Sequence, residues 1–469
     1  MDFLMGRLNY ERVDQIPYHR QHLKLERMQR LLDRLGNPEQ QLNIIHVAGS
    51  KGKGSTVMTL SSLLTTAGVN AGTYTSPHLQ HIEERIRING TPIEIIDFVE
   101  LLRRIRPAVE AMDRDDQTPS RFSEPTYFEI LTAAAMLHFA DRRVRWCLLE
   151  VGLGGRLDST NVCQPLITVI TSISLDHTRQ LGMTLAEIAG EKAGILKPSV
   201  PLVSGVKTGP AREVIESTAQ QAGCDVYTLG DEFNIRYQPA GCQPVTALGP
   251  AAEVDPEQLT SKFDFQSSEV HYRGLPLQLP GRHQAENAAL ALQAMSLLQP
   301  HGVPLDRTAV LDGLHRVRCP ARVEILPGQP TMVVDTAHNV ASIRALLDAL
   351  AERFDARRWV FVFGTTRGKP VREMIQLLLG RAHALVLTKY VHNPRAVKPQ
   401  VLGSIAAEVT AESIDATDTA IRVADDPQAA WELAMRLAAD DDVVCVTGSF
   451  FLAAELMPTM RQRSSMVSG

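Results

Sequence analysis

The chain has 469 residues, more than a single hydrophobic core accommodates, and is expected to fold as two or three domains. Its 44% apolar and 22% charged content is that of a soluble globular enzyme, and a net charge of −5 excludes a general attraction to nucleic acid or anionic membranes. No apolar run approaches a membrane span, the N-terminus lacks an apolar targeting core, and the six cysteines show no paired spacing; a cytoplasmic, reducing location is expected.

In chain order, residues 1–43 read as helix and loop, with Leu23, Leu25, Met28, Leu31, Leu32 and Leu35 on one helical face before Gly36. The apolar run Ile44, Ile45, Val47 predicts a strand, cut off by Gly49, Gly52 and Gly54. Ser55 then opens a helical pattern running to Ala67 and stopped by Gly68. Strand, glycine loop and helix in that order make a phosphate cradle. Glycines let N–H groups point inward, the helix N-terminus adds partial positive charge, and a lysine neutralises the outer phosphates. The expected nucleotide contacts are Gly49, Ser50, Gly52, Lys53, Gly54, Ser55 and Thr56, with Lys53 on the outer phosphates. The strict Walker pattern is not met, because Val47 stands where its first glycine belongs and Gly54 where its Ser/Thr belongs.

Ala71–Thr75 predicts a short strand entering Ser76-Pro77-His78, followed by a polar stretch that turns at Asn89-Gly90. A helix is expected over Pro92–Ala111, a polar loop over Asp113–Glu124 and a second helix over Pro125–Ala140. Val144–Val151 is a buried-strand pattern bearing Glu150 at its end, and Leu166–Ile173 is another, followed by Asp176-His177. The spacing then predicts a helix over Leu185–Ala193, with Thr184 and Glu187 as a capping box and Gly194 just past its end, and a strand over Pro201–Val206. This alternation predicts a parallel sheet with helices on both faces.

Asp231–Arg236 and Glu269–Tyr272 suggest a small antiparallel excursion, and residues 281–295 return to a helix whose pattern continues to about Leu314. After a break at 315–320 the alternation restarts, with strands expected at Thr331–Val334, Trp359–Phe363, Ala384–Thr388 and Val443–Val446. The expected organisation is a phosphate-binding domain over 1–314, a hinge over 315–320 and a smaller α/β domain over 321–469. Residues leaving the carboxyl ends of the first sheet are Lys53, Ser55, Ser76, Glu150 and Asp176-His177, a set able to hold Mg²⁺ against a triphosphate. Lys192, in the last turn of its helix, complements the helix dipole and needs no further reason.

The loop GSKGKGS (49–55) resembles that of folylpolyglutamate synthases and dihydrofolate synthases, members of the Mur ligase superfamily. Further motifs match in order: TSPH (75–78), RIRING (85–90), TYFE (126–129), EVGLGGRLDSTN (150–161), SLDH (174–177), LGMTLAEIAGEKAGILK (181–197), GRHQAENA (281–288), DTAHN (335–339) and TGSF (447–450). The resemblance implies an α/β fold with a P-loop, parallel-sheet ATPase domain and a smaller Rossmann-like C-terminal domain. It implies that Ser76 and Glu150 hold one Mg²⁺ against ATP, and that His177, Glu150 and a carbamylated Lys192 hold a second. Asn287 and Arg322 would contact ATP, Asp335 and His338 would serve ATP and the incoming amino acid, and Ser449 would lie nearby. Ser50 stands where the family commonly has threonine, and Ala321 where it usually has glycine.

By this resemblance the chain is expected to be a ligase that uses ATP to add L-glutamate to a folate; a monomer without nucleic-acid or membrane partners is expected as well. The shared motifs do not separate it from a bifunctional enzyme that also joins dihydropteroate to glutamate. A cell-wall Mur ligase fits less well, since only about forty residues precede the loop. A P-loop NTPase switch would leave the second α/β domain unexplained.

Overall fold

The computed structural model describes residues 1–13, 25–115, 124–241, 243–244, 260–355, 358–412 and 419–467. Leu23 and most of the expected 113–124 loop lie outside these residues. The chain divides into two compact units, one comprising 1–236, 263–276 and 284–317, the other 237–262, 277–283 and 318–469.

The first unit is built on an eight-stranded sheet: β1 (Asn43–Ala48), β2 (Ala71–Tyr74), β3 (Ile86–Ile88), β4 (Thr91–Pro92), β5 (Trp146–Glu150), β6 (Ile167–Ile170), β7 (Leu202–Ser204) and β8 (Val226–Thr228). Their order is β4-β3-β2-β5-β1-β6-β7-β8, and every pairing is parallel except those made by β3. The central strands are apolar along their length because helices cover both faces of a parallel sheet. One face packs Tyr74, Phe98, Phe139, Cys147 and Leu149; the other packs Ile170, Ala189, Ile195, Leu202 and Ile215. Register sets the site: Val47 pairs with Glu150 and Ala48 with Ile170, so β1, β5 and β6 end side by side.

Several expectations shift. The loop helix runs Lys53–Thr66, beginning two residues earlier than the apolar spacing suggested, because Gly52 caps it in a left-handed conformation at φ 87°. The polar stretch before Asn89 contains β3, and Pro92 belongs to β4 rather than to the following helix, Ile95–Asp115. Arg85, in the stretch read as polar, is 1% exposed and donates to both Glu11 oxygens at 2.9 and 2.7 Å. A charged residue is buried only when paired, and a partner so far away in sequence leaves no local signal. The Leu185–Ala193 helix forms with both halves of its capping box. The excursion carries strands Phe233–Gln238, Ser261–Ser267 and His271–Leu277.

The second unit has a six-stranded sheet rather than four strands. Its order is Glu324–Leu326, Thr331–Val334, Val443–Thr447, Trp359–Phe363, Ala384–Leu387, Ala420–Val423, parallel except for the first pair. The two unexpected strands are the edges, one of them half exposed, so they lack the apolar runs that mark central strands. Among the described residues no helix is long and apolar enough to cross a membrane.

Candidate functional site

Between β1 and the Lys53–Thr66 helix, the glycine loop is shaped by what its missing side chains would strike. A Cβ on Gly49 would fall 1.9 Å from Thr171 Oγ1, and one on Gly52 would fall 2.2 Å from Asn287 Oδ1. Gly52 also holds a positive φ that other residues resist. Asn287, expected to contact ATP, therefore abuts the loop, with its Nδ2 donating to Gln284 Oε1 at 3.0 Å.

The segment following β6 grips the loop. Ser50 N–H donates to Ser172 O at 2.7 Å, and Ser50 Oγ donates to Ser174 O at 3.1 Å. The hydroxyls of Thr171 and Ser172 both donate to Lys51 O, at 2.5 and 3.0 Å. Lys51 Nζ meets Asp176 Oδ2 at 2.8 Å, and Asp176 Oδ1 accepts the His177 N–H at 2.9 Å, steadying His177 at φ 51°. Asp176 was expected at this end of the sheet; Thr171, Ser172 and the pairing of Asp176 with Lys51 were not foreseen. Thr171 and Ser172 fell inside the strand expected over Leu166–Ile173, which in the fold ends at Ile170.

Lys53 and Lys192 converge. Each Nζ donates to the same acceptor, Gly49 O, at 3.1 and 3.0 Å. Lys192 is 4% exposed, and burial, reinforced by the Lys53 charge, pushes its amine from 10.5 down to about 7. A helix-end lysine in water would not behave so, and the dipole reading alone does not account for this one. Ser55 and Thr56 are buried in the first turn of the loop helix, and Thr56 Oγ1 has no hydrogen-bond partner among the described residues.

Glu150 is also brought to the loop. Its Oε2 accepts the Ser76 N–H at 3.2 Å and lies 3.6 Å from where a Gly54 Cβ would be. His177 Nε2 stands 3.9 Å from Asp176 Oδ1. Among the described residues no three His, Cys, Asp or Glu side chains gather as a metal cage. One carboxylate beside a phosphate loop suits a hard cation that takes its remaining ligands from phosphate and water.

In the second unit, Asp335 follows the Thr331–Val334 strand, and both its oxygens accept backbone N–H groups, Val323 at 2.9 Å and Ala337 at 2.7 Å. Burial raises its pKa, while Arg322 opposes the rise. The carboxylate thus braces the turn that carries Arg322, whose guanidinium donates to Thr336 Oγ1. Ala321 occupies a left-handed φ of 55°, the conformation a glycine adopts without strain, so the turn forms despite the substituted residue. His338 Nδ1 is 2.8 Å from Thr336 O; a carbonyl can only accept, so Nδ1 carries a proton. Ser449 is buried and accepts the Phe451 N–H at 3.1 Å.

A family model described as Mur ligase middle domain matches residues 47–295, and one described as Mur ligase, glutamate ligase domain matches 321–450. The dihydrofolate synthase/folylpolyglutamate synthase of Bacillus subtilis is 35% identical over 442 residues, covering 93% of this chain and 95% of that protein. The solved structure of Mycobacterium tuberculosis folylpolyglutamate synthase complexed with ADP matches with a TM-score of 0.84 and 32% identity, covering 97% of this chain and 96% of that one. A solved bifunctional folylpolyglutamate synthase/dihydrofolate synthase with Mn, AMPPNP and L-glutamate bound matches with a TM-score of 0.76 and 30% identity, covering 93% and 94%.

Proposed function

This chain belongs to the folylpolyglutamate synthase/dihydrofolate synthase family of the Mur ligases, and from that premise we propose that it uses ATP to join L-glutamate to the glutamyl carboxylate of a folate. The observation carrying this reading is the convergence of Lys53, Lys192 and Glu150 on one glycine loop at the carboxyl ends of β1 and β5.

A carboxylate does not react with an amine, because its leaving group would be oxide. The folate carboxylate oxygen attacks the γ-phosphorus and ADP departs, giving an acyl phosphate. The glutamate nitrogen then attacks the acyl carbon, inorganic phosphate departs, and the nitrogen loses a proton as the amide forms. Inward N–H groups of the loop and Lys53, moved from Gly49 O to the phosphates, meet the charge that develops during transfer. Ser76 and Glu150 would hold one Mg²⁺, and Glu150, His177 and a Lys192 carbamate a second. Bound there, the cations supply charge neutralisation at the transferring phosphoryl group. Carbamylation needs an unprotonated amine, which the lowered pKa of Lys192 makes available near neutral pH. Arg322, Asp335 and His338 would serve ATP and glutamate from the second unit, with 315–320 as the hinge.

A second activity, joining dihydropteroate to glutamate, is favoured by the bifunctional Bacillus subtilis relative. Phosphate release measured with ATP, glutamate and either tetrahydrofolate or dihydropteroate tests both. Release should require glutamate together with a pterin-bearing carboxylate. Equal ATP turnover without either would refute the ligase reading.

A further inference from the structure

The motif that follows Glu150 contains residues the reaction does not use, and they form a hydrogen-bond chain whose direction can be deduced. Asp158 is buried and ionisable, and its oxygens accept four donors. Oδ2 takes the N–H groups of Gly152 at 3.0 Å and Leu153 at 2.9 Å; Oδ1 takes the Thr160 N–H at 3.0 Å and the Thr160 hydroxyl at 2.6 Å. Having given its only proton to Asp158, the Thr160 hydroxyl can only accept from His46 Nε2, 2.8 Å away. His46 therefore carries its proton on Nε2, and its Nδ1 accepts from Cys163 Sγ at 3.7 Å. His46 is fully buried in the middle of β1, where burial keeps the ring neutral.

The same segment reaches the helix that carries Lys192. Arg156 N–H donates to Glu191 O at 2.8 Å, and Asn161 Nδ2 donates to Gly194 O at 3.0 Å. A Cβ on Gly155 would lie 2.8 Å from Glu191 O and 3.0 Å from Lys192 O, so the backbones are in direct contact. One end of the segment is thus Glu150, and its middle lies on the turn that ends the Lys192 helix.

We propose that His46, Thr160 and Asp158 are positioning residues: their hydrogen-bond chain shapes the 151–161 segment and thereby sets the Glu150 carboxylate and the Lys192 side chain at the spacing a divalent cation requires. The proposal rests on the reading of Glu150 and a Lys192 carbamate as metal ligands. The chain touches neither substrate nor cation, and it acts by holding the backbone that carries one ligand against the helix that carries the other.

The test is Mn²⁺ binding to the full chain with a non-hydrolysable ATP analogue, followed by electron paramagnetic resonance, alongside melting temperature without metal or nucleotide. Thr160→Val keeps the side-chain shape but breaks the chain, and should weaken Mn²⁺ binding by roughly 10-fold or more, the usual effect of removing a partner behind a metal ligand. Thr160→Ser restores the hydroxyl and should bind within about twofold of the native chain on the same scale. Should Thr160→Val fail to fold, His46→Leu removes the donor at the other end and must give the same loss. Native Mn²⁺ affinity in the folded Thr160→Val or His46→Leu protein, with only a lowered melting temperature, would overturn the proposal. Glu150→Gln separates the two levels. If it leaves Mn²⁺ binding intact, the metal reading of Glu150 fails and the proposal with it; if it abolishes binding while Thr160→Val does not, only the positioning role fails.

Discussion

Replacing Lys192 by methionine removes an amine that burial has pushed to about 7 while keeping an unbranched apolar side chain in its place. Lowering a lysine from 10.5 to about 7 corresponds to roughly 5 kcal/mol of cost for holding the charged form folded at acidic pH. Losing the Lys192 hydrogen bond to Gly49 O offsets about 1.5–3 kcal/mol of that gain, although Gly49 O keeps Lys53. The net expectation at pH 6 is a variant more stable by about 2–3.5 kcal/mol, the difference of those two terms. The sign follows from proton counting. Between about 7 and 10.5 the unfolded chain binds more protons at this site than the folded one, so native stability rises with pH across that window. The advantage of Lys192→Met should therefore be largest at pH 6 and vanish by pH 10. Melting temperatures in CO₂-free buffer measure it, read as differences because two units need not unfold together. A helix-end charge makes the opposite prediction, a loss of about 0.3–1 kcal/mol on removal. A variant that melts below the native protein at pH 6, by the same margin as at pH 10, would refute the desolvated-amine argument. Turnover should collapse in Lys192→Ala, and acetate should restore part of it by occupying the carbamate's place; near-normal turnover would refute the carbamate.

Lys53→Ala should lower turnover by roughly 10²-fold or more with unchanged circular dichroism, since it removes a donor aimed at developing phosphoryl charge. Arg27→Met leaves Glu129 buried without its cation, 2.8 Å away in the native chain, and should cost about 3–5 kcal/mol in thermal unfolding; adding Glu129→Gln should recover much of it. Asp335→Asn turns one acceptor into a donor facing a backbone N–H and should cost about 1–3 kcal/mol of stability, so an unchanged melting temperature would contradict the bracing of Val323 and Ala337. His338→Ala should lower amide formation by roughly 10²-fold, the cost of misplacing a reactant, because the side chain is proposed to serve the incoming amino acid.

The loop, the central strands and the capped Leu185–Ala193 helix were legible in the chain because each is specified locally. Glycines mark the loop, unbroken apolar runs mark strands buried on both faces, and Thr184 with Glu187 marks a helix start. Glu150 and His177 were legible as candidates because one ends such a strand and the other lies in the segment that follows one. The edge strands Thr91–Pro92 and Ala420–Val423 were not, since half-exposed edges need no apolar run. Lys192 shows most plainly what only tertiary structure decides. In sequence it is a cation at a helix end; in the fold it lies 143 positions from Gly49, shares that carbonyl with Lys53, and loses its charge near neutral pH. Hydrogen-bond partners, burial and proton affinity depend on which distant segments meet, and the parallel register of β1, β5 and β6 makes these segments meet.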